Sequence, residues 1–318
     1  MTLRLASRGS TLALWQAHHV QALLRGQHPA LDIEIEILHT TGDRITDVPL
    51  SMIGDRGLFT KEVDSAVLDG RAHCAVHSFK DVPTRLPDGL MLAAVMQRED
   101  PRDAFLPAPG RAERIEALPA GARIGTSSLR RRSLLLALRP DLVIEDLRGN
   151  LDTRLRKLDA GRYDGIILAL AGLRRFGRED RARELLGPPH WLPAAGQGAL
   201  ALLARAGDRE TLSMLAPLND ETARAATEAE RAFLGRLEGG CQIPIGALGT
   251  VDGAKLTLRG LVASLDGATI VRGEGSGSAA AARAVGEQLA QQLIDDGADD
   301  VLRRIRSADE NAPQPQAP

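Results

Sequence analysis

A cysteine in a glycine-rich loop is the residue of this sequence with the clearest chemical potential. Cys241 stands in the run EGGCQIPIG, residues 238–246. Two glycines let the backbone leave a preceding helix and a proline follows three residues later, so the pattern predicts a loop. A loop thiol can act as a nucleophile or as an attachment point, because its thiolate is the reactive species. A small buried side chain is the alternative, since free cysteines are often buried.

Four loops that follow predicted strands combine cations with hydroxyl, amide or carboxylate side chains. Helix N-termini carry free N–H groups and the positive end of the helix dipole, so they repel cations. Cations placed there therefore indicate that an anionic ligand binds at these loops. Arginine binds carboxylates and phosphates bidentately, which predicts a ligand with several such groups. Solvated surface arginines are the alternative for any single residue. The loops are residues 7–10 (SRGS), 78–81 (SFKD), 125–132 (GTSSLRRR) and 148–154 (RGNLDTR).

Asp81 is the carboxylate with the clearest candidate role. It follows Lys80 at the end of a predicted strand, directly before Val82 and Pro83. A carboxylate held in a cleft can serve as general acid or base. A turn aspartate that bonds to nearby backbone is the alternative. The sequence has no P-loop and no GxGxxG motif, which disfavours a nucleotide, and its histidines show no metal-ligand spacing, so no metal is expected.

The composition is typical of a globular protein with two or three domains. The chain has 318 residues, of which 43% are hydrophobic and 26% charged. A net charge of −2 and an aromatic content of 3% argue against general nucleic-acid binding. Arginine supplies 36 of the 40 basic residues. Because arginine is common throughout the chain, only the positions of the arginines, and not their number, can indicate a binding site. No long apolar run or signal core is present and the two cysteines are far apart, so we expect a cytoplasmic protein.

Alternating strands and helices must position these loops. The β-α-β order predicts mostly parallel sheets with right-handed crossovers. Ser10 is expected to cap a helix through about Arg25, and Thr60 to cap another helix. Asp-Gly pairs at 252–253 and 266–267 predict hairpins, and a helix is expected at 279–296. Cys74 falls in a buried-strand pattern. The apolar face of the first helix is predicted to consist of Leu12, Trp15, Leu23 and Leu24.

A set of motifs in fixed order resembles the porphobilinogen deaminase (hydroxymethylbilane synthase) family of tetrapyrrole biosynthesis. One such motif would be weak evidence, whereas the ordered set extends over nearly the whole chain. The motifs are ASRGS (6–10), GLFTKE (57–62), VHSFKDVP (76–83), EDPRDA (99–104), GTSSLRR (125–131), LRGN (147–150), AAGQG (194–198) and EGGCQIPIG (238–246).

The resemblance implies an α/β fold of two similar lobes around a cleft, with mixed, mostly parallel sheets like those of periplasmic binding proteins. A small C-terminal α+β domain with a three-stranded antiparallel sheet would follow. Domain 1 would comprise residues 1–99 and 195–218, domain 2 residues 100–194 and domain 3 residues 219–307. Residues 308–318 are polar and proline-rich and are expected to form a disordered tail.

The resemblance also implies a monomeric transferase. It would condense four porphobilinogen molecules head to tail, with loss of ammonia, onto a dipyrromethane cofactor, and release 1-hydroxymethylbilane by hydrolysis. Cys241 would hold the cofactor through a thioether, and Asp81 would be catalytic. The family's cofactor- and substrate-binding positions match Arg8, Ser10, Lys80, Thr126, Ser127, Ser128, Arg130, Arg131, Arg148, Arg154 and Arg175.

Some implied details stay open at this point. Arg174 competes with Arg175 for its role, and the loop around Asp55 could be a mobile lid. Porphobilinogen is the expected partner, with transient contact to the next enzyme of the pathway and none to nucleic acid or membrane. A two-lobed binding protein for a polyanion is an alternative that leaves Cys241 without a role. A cysteine-nucleophile acyltransferase is another, and it needs a histidine base beside the thiol.

Overall fold

Residues 2–40, 60–237 and 243–310 are described by a computed structural model, with side chains up to residue 307. Within these ranges the strands are β1 (Thr2–Arg8), β2 (Asp32–Leu38), β3 (Cys74–Ser78), β4 (Leu90–Val95), β5 (Asp103–Pro107), β6 (Arg123–Gly125), β7 (Val143–Glu145), β8 (Gly165–Ala169), β9 (Glu184–Leu186), β10 (Leu200–Arg205), β11 (Ile245–Asp252), β12 (Lys255–Ala263) and β13 (Ile270–Ser278). The α-helices of the same ranges are α1 (Thr11–Gln27), α2 (Lys61–Leu68), α3 (Leu129–Leu138), α4 (Leu151–Asp159), α5 (Leu170–Arg175), α6 (Arg209–Leu215), α7 (Glu221–Arg236), α8 (Ala282–Leu293) and α9 (Asp299–Glu310).

The first sheet has the strand order β2-β1-β3-β10-β4. β1 pairs in parallel with β2 and β3, whereas β10 is antiparallel to both of its neighbours. Four of its strands therefore run in one direction and β10 runs against them. Leu3 and Leu5 of β1 and Leu202 of β10 are fully buried. Burial of each such side chain stabilises the fold by about 1.5–3 kcal/mol.

The second sheet repeats this design with the order β7-β6-β8-β5-β9. β6 is parallel to β7 and β8, and β5 is antiparallel to β8 and β9. The carboxyl ends of β1, β3, β6 and β7 lead into the four polar loops singled out in the sequence. The two lobes with mixed, mostly parallel sheets are thus confirmed.

The third sheet is antiparallel, with the order β11-β12-β13, and both predicted Asp-Gly hairpins join its strands. Helices α7 and α8 pack on it around Phe233, Leu258 and Leu289. The small C-terminal α+β unit is confirmed. β10 lies in the first sheet although it follows all strands of the second. The residue boundaries of the three domains stay a prediction.

The apolar face predicted for α1 was largely wrong. Ser10 does cap the helix, with its Oγ accepting a hydrogen bond from the Ala13 N–H. The buried residues are Gln16, Ala17, Val20 and Leu24, whereas Trp15 and Leu23 are about two-fifths exposed. Gln16 is buried because its Nε2 donates to the Ser78 Oγ at 2.8 Å. A polar contact to another strand thus decides which side faces inward.

Other local expectations also differ from the structure. Thr60 precedes α2, but its side chain makes no capping hydrogen bond. The C-terminal helix was predicted as one segment, whereas α8 ends at Leu293 and a π turn with Gly297 at φ +102° leads into α9. α9 ends at Glu310, inside the expected tail, and residues 311–318 lie outside the described part.

Candidate active site

A cavity of about 760 Å³ lies between the two lobes. Its walls come from the turn between β1 and α1, the segment after β3, the turn before α4, helix α5 and the connection before β10. Among its lining residues, seven are cationic: Arg8, Lys80, Arg131, Arg148, Arg154, Lys157 and Arg175. Asp81 and Asp152 are the carboxylates of the lining. This excess of positive charge favours a ligand with several anionic groups.

Two of these cations have lowered pKa values. Burial and the nearby Arg131 charge together lower the pKa of Lys80 to about 8, although Asp81 opposes the effect. Burial likewise lowers the pKa of Arg154 to about 10, with Arg131 again contributing. A buried cation with a lowered pKa is stabilised when a carboxylate binds beside it.

The helix starts at the cavity are capped by their own side chains. Ser10 caps α1, and Asn150 caps α4 by accepting the Thr153 N–H at 3.0 Å. The turn before α4 is also tied by the Arg154 Nε, which donates to the Gly149 carbonyl at 2.8 Å. These local bonds place Arg148 and Arg154 at the cavity wall.

Four of the predicted binding residues are absent from the lining of this cavity. The Ser128 Oγ caps α3, and the Ser127 Oγ bonds to both the N–H and the carbonyl of Leu147. The Thr126 Oγ1 accepts the Ser128 N–H, and the buried Arg130 donates to Asp103 and to the Leu192 carbonyl. Hydrogen bonds within the protein account for these polar residues, and direct contact with a ligand stays a prediction for all four.

The buried carboxylate of Asp103 accepts hydrogen bonds from several side chains behind the cavity wall. It accepts hydrogen bonds from the Arg130 Nη1 at 2.9 Å, the Arg131 Nη2 at 2.7 Å, the Trp191 Nε1 at 2.8 Å and the Gln197 Nε2 at 2.9 Å. Arg131 is thereby held with one edge toward the cavity. Its buried Nε has no hydrogen-bond partner among the described residues, so this donor can serve a ligand.

The connection Gly196-Gln197-Gly198 joins both lobes. Gly196 and Gly198 have φ of +74° and +93°, and a Cβ on Gly198 would lie 2.3 Å from the Glu99 carbonyl oxygen. The Gln197 Nε2 also donates to the Pro101 carbonyl at 2.7 Å, and its Oε1 lies 3.4 Å from the Lys80 Nζ. Sequence reasoning noted this motif but missed the positioning roles of Gln197 and Asp103, because their partners lie between 27 and 117 residues away in the sequence.

The structure separates the two neighbouring arginines of α5. Arg175 lines the cavity, and its Nη2 donates to the Gly198 carbonyl at 2.6 Å. Arg174 instead forms ion pairs with Glu99 and Glu179. Arg175 is therefore the better candidate for contact with a ligand.

Only one of the two cysteines, Cys74, lies among the described residues. Cys74 is buried in β3, and burial raises the pKa of its thiol, so it is a core side chain as predicted. Cys241 and the loop around Asp55 lie outside the described residues.

Among the helices of the described ranges, none has the length and hydropathy of a membrane span.

Comparison with known proteins decides the identity of this cleft. Residues 3–213 match the family model "Porphobilinogen deaminase, dipyromethane cofactor binding domain", and residues 225–295 match "Porphobilinogen deaminase, C-terminal domain". The chain belongs to the porphobilinogen deaminase family. A porphobilinogen deaminase of Nitratidesulfovibrio vulgaris (strain Miyazaki F) is 50% identical over 314 residues, which cover 97% of this chain and 98% of the relative.

Solved structures with low sequence identity also match part of this chain. The VFT2 domain of Bordetella pertussis BvgS matches with 15% identity and a TM-score of 0.42, over 68% of this chain and 85% of that one. An arginine-specific periplasmic binding protein of Salmonella typhimurium matches with 12% identity and a TM-score of 0.42, over 70% of this chain and 93% of that one. Likeness at this level says nothing about the ligand of this chain.

Family membership establishes the reaction. As a porphobilinogen deaminase, a transferase also called hydroxymethylbilane synthase, the chain condenses four porphobilinogen molecules stepwise with loss of ammonia. Condensation starts on a covalent dipyrromethane primer, and hydrolysis releases 1-hydroxymethylbilane for tetrapyrrole synthesis. The two alternatives, a binding protein without catalysis and a cysteine-nucleophile acyltransferase, were wrong.

Proposed function

We propose that Asp81 is the acid–base residue of this reaction, that Cys241 carries the cofactor, and that the cations of the cleft bind the carboxylates of the growing chain. The observation that supports this best is the lining of the cavity, in which seven cations surround two carboxylates, one of them Asp81. Each pyrrole unit brings an acetate and a propionate group. A lengthening chain therefore accumulates negative charge, which complements the positive charge of this lining.

The residues present fit a carboxylate-rich cofactor. Arg131 offers a buried Nε donor without a partner among the described residues, and Lys80 and Arg154 are half-buried cations with lowered pKa values. When bound, the cofactor supplies the ring carbon to which the first porphobilinogen is joined. Lys80, Arg131, Arg148 and Arg154 would hold its carboxylates, each charge-assisted bond contributing about 1.5–3 kcal/mol.

The proposed role of Asp81 is to move protons at a pyrrole ring. It lies in the 3₁₀ turn Phe79–Asp81 at the carboxyl end of β3, beside Lys80 and in the cavity wall. Its carboxyl group donates a proton to the amino group that leaves as ammonia, and its carboxylate accepts the proton lost from a ring α-carbon.

The attachment site can be tested by intact mass spectrometry of the purified holoenzyme. We expect a mass above that of the chain by two pyrrole units, and Cys241→Ser should lack this adduct because the thioether needs its sulfur. The chain has two cysteines, so Cys74→Ser is the matched control and should keep the adduct. An adduct that persists in Cys241→Ser would place the cofactor elsewhere.

Arg148→Leu tests the binding role of the cleft cations. Loss of one charge-assisted contact should lower kcat/KM by about 10- to 100-fold, since 1.4 kcal/mol corresponds to a factor of ten. Arg162→Leu is the control, because Arg162 is exposed beyond the far end of α4 and does not line the cavity. Steady-state kinetics with porphobilinogen provide the measurement, and equal values for both variants would refute the role of Arg148.

We also propose that the enzyme acts as a cytoplasmic monomer and passes its product to the next enzyme through transient contact. A hydroxymethyl product that another enzyme must consume supports the transient contact.

A further inference from the structure

Arg231 of α7 holds the backbone that follows Asp81. Its Nη1 donates to the Val82 carbonyl at 2.8 Å, and its Nη2 donates to the carbonyls of Pro83 and Thr84. Three acceptors at fixed angles suit the planar fork of a guanidinium, which a lysine cannot imitate. The chain after Asp81 is thus fixed to a helix of the C-terminal unit.

The same guanidinium also contacts the chain before Asp81. Its central carbon lies 4.7 Å from the centroid of the Phe79 ring, in a cation–π contact. Phe79 is almost fully buried and begins the 3₁₀ turn that contains Lys80 and Asp81. Arg231 therefore contacts both sides of this turn. A three-residue 3₁₀ turn has little stability of its own, so outside contacts decide its position.

Helix α7 is a rigid support for this contact. Glu230, next to Arg231, is fully buried and accepts hydrogen bonds from the Arg98 Nη1 at 2.6 Å and from the N–H groups of Gly196 and Gly249 at 2.7 Å. These bonds tie α7 to the first lobe, to the connection between the lobes and to the third sheet. Burial lowers the pKa of Arg231 to about 10, so it stays cationic at neutral pH.

We propose that Arg231 is a positioning residue of the reaction, which fixes the Lys80–Asp81 turn to α7 and so keeps the Asp81 carboxylate in place during every condensation. This role rests on the proposed acid–base function of Asp81. The segment that contains Cys241 follows α7 directly in the sequence. One helix thus holds the catalytic turn and leads to the cofactor attachment site.

Arg231→Met tests the proposal with a matched control. We expect kcat to fall by as much as about 100-fold with little change in KM, since small displacements of a reacting group cost that much. Arg139→Met is the control, because Arg139 also donates to three backbone carbonyls, those of Ile115, Glu116 and Leu118, away from the cavity. Its kcat should stay unchanged although its melting temperature falls.

Two further measurements separate positioning from general stability. Hydrogen exchange of holoenzyme amides in residues 79–84 should speed up in Arg231→Met and not in Arg139→Met. Added methylguanidinium should restore part of the activity of Arg231→Ala. If Arg231→Met does not fold, Arg231→Lys replaces it, with the charge kept and the fork lost, and an intermediate fall in kcat is expected.

The outcomes distinguish this inference from the proposed function. A normal kcat in the folded Arg231 variants, or a lower kcat with unchanged exchange in residues 79–84, would overturn the positioning role. Intact mass of the same variants shows whether the cofactor is present. Full activity of Asp81→Ala would instead overturn the acid–base role itself.

Discussion

Asp81→Ala should give a folded protein whose kcat is lower by about 10²- to 10⁴-fold, because a positioned acid or base typically contributes that much. Asp81 is partly exposed in a short turn, so its removal should change the melting temperature little. The adjacent Lys80 and the arginines of the lining remain, and KM for porphobilinogen should therefore change less than kcat. Steady-state kinetics and thermal unfolding of the same preparation provide both measurements.

Controls for this variant come from the same stretch of chain. Asp88→Ala removes an exposed carboxylate seven residues later that does not line the cavity, and it should keep normal turnover. Asp81→Asn keeps the shape of the side chain but removes its ability to transfer a proton, so it should resemble the alanine variant. Normal turnover in Asp81→Asn would assign Asp81 to shape alone and exclude it as the acid–base residue.

Local signals in the sequence predicted the elements that surround the cleft. The Ser10 cap depends on residues three positions apart, so the sequence alone reveals it, whereas Thr60 was predicted as a cap and makes no capping hydrogen bond. Asp-Gly turns located the hairpins of the third sheet for the same reason. The strands β4, β5, β9 and β10 were not predicted, because pairing with distant strands rather than local pattern defines them.

Sequence reasoning missed some residues of the site because contacts between distant parts of the chain define their roles. Asp103 is one charged residue among many in the sequence, and only the fold brings Arg130, Trp191 and Gln197 to it. The hydroxyls at 126–128 were predicted to contact ligand, and that contact stays a prediction. Thr126 and Ser128 bond at the start of α3, and Ser127 bonds to the backbone of Leu147. Residue type and spacing identified the cations of the cleft, and tertiary partners decide which of them face the cavity.

Asp103→Asn should be strongly destabilising, because Asp103 is fully buried with two arginines against it. Burial alone would raise the pKa of Asp103, but the charges of Arg130 and Arg131 outweigh it and hold the pKa far below its usual range. Asparagine would leave both guanidiniums buried without a counter-charge. Breaking a buried ion pair in this way costs about 3–5 kcal/mol of the free energy of unfolding.

The lowered pKa of Asp103 determines how its contribution to the free energy of unfolding changes with pH. A carboxyl group with a lowered pKa in the folded state stabilises the fold at pH above its unfolded pKa of about 3.9. That stabilisation is lost as the pH falls below this value toward the folded pKa. Urea unfolding should therefore show a large difference between the parent protein and Asp103→Asn at pH 7, and the difference should narrow below about pH 4.

Asp141→Asn is the control for both measurements, since Asp141 pairs with Arg139 at the surface and a surface pair contributes little. An unfolding free energy that is equal for Asp103→Asn and the parent at pH 7 would contradict the structural role of Asp103. Because Arg131 lines the cleft, the folded fraction of Asp103→Asn should also have a higher KM for porphobilinogen. A buried carboxylate behind the cavity wall would thus govern the stability of the second lobe and the position of a binding arginine through the same hydrogen bonds.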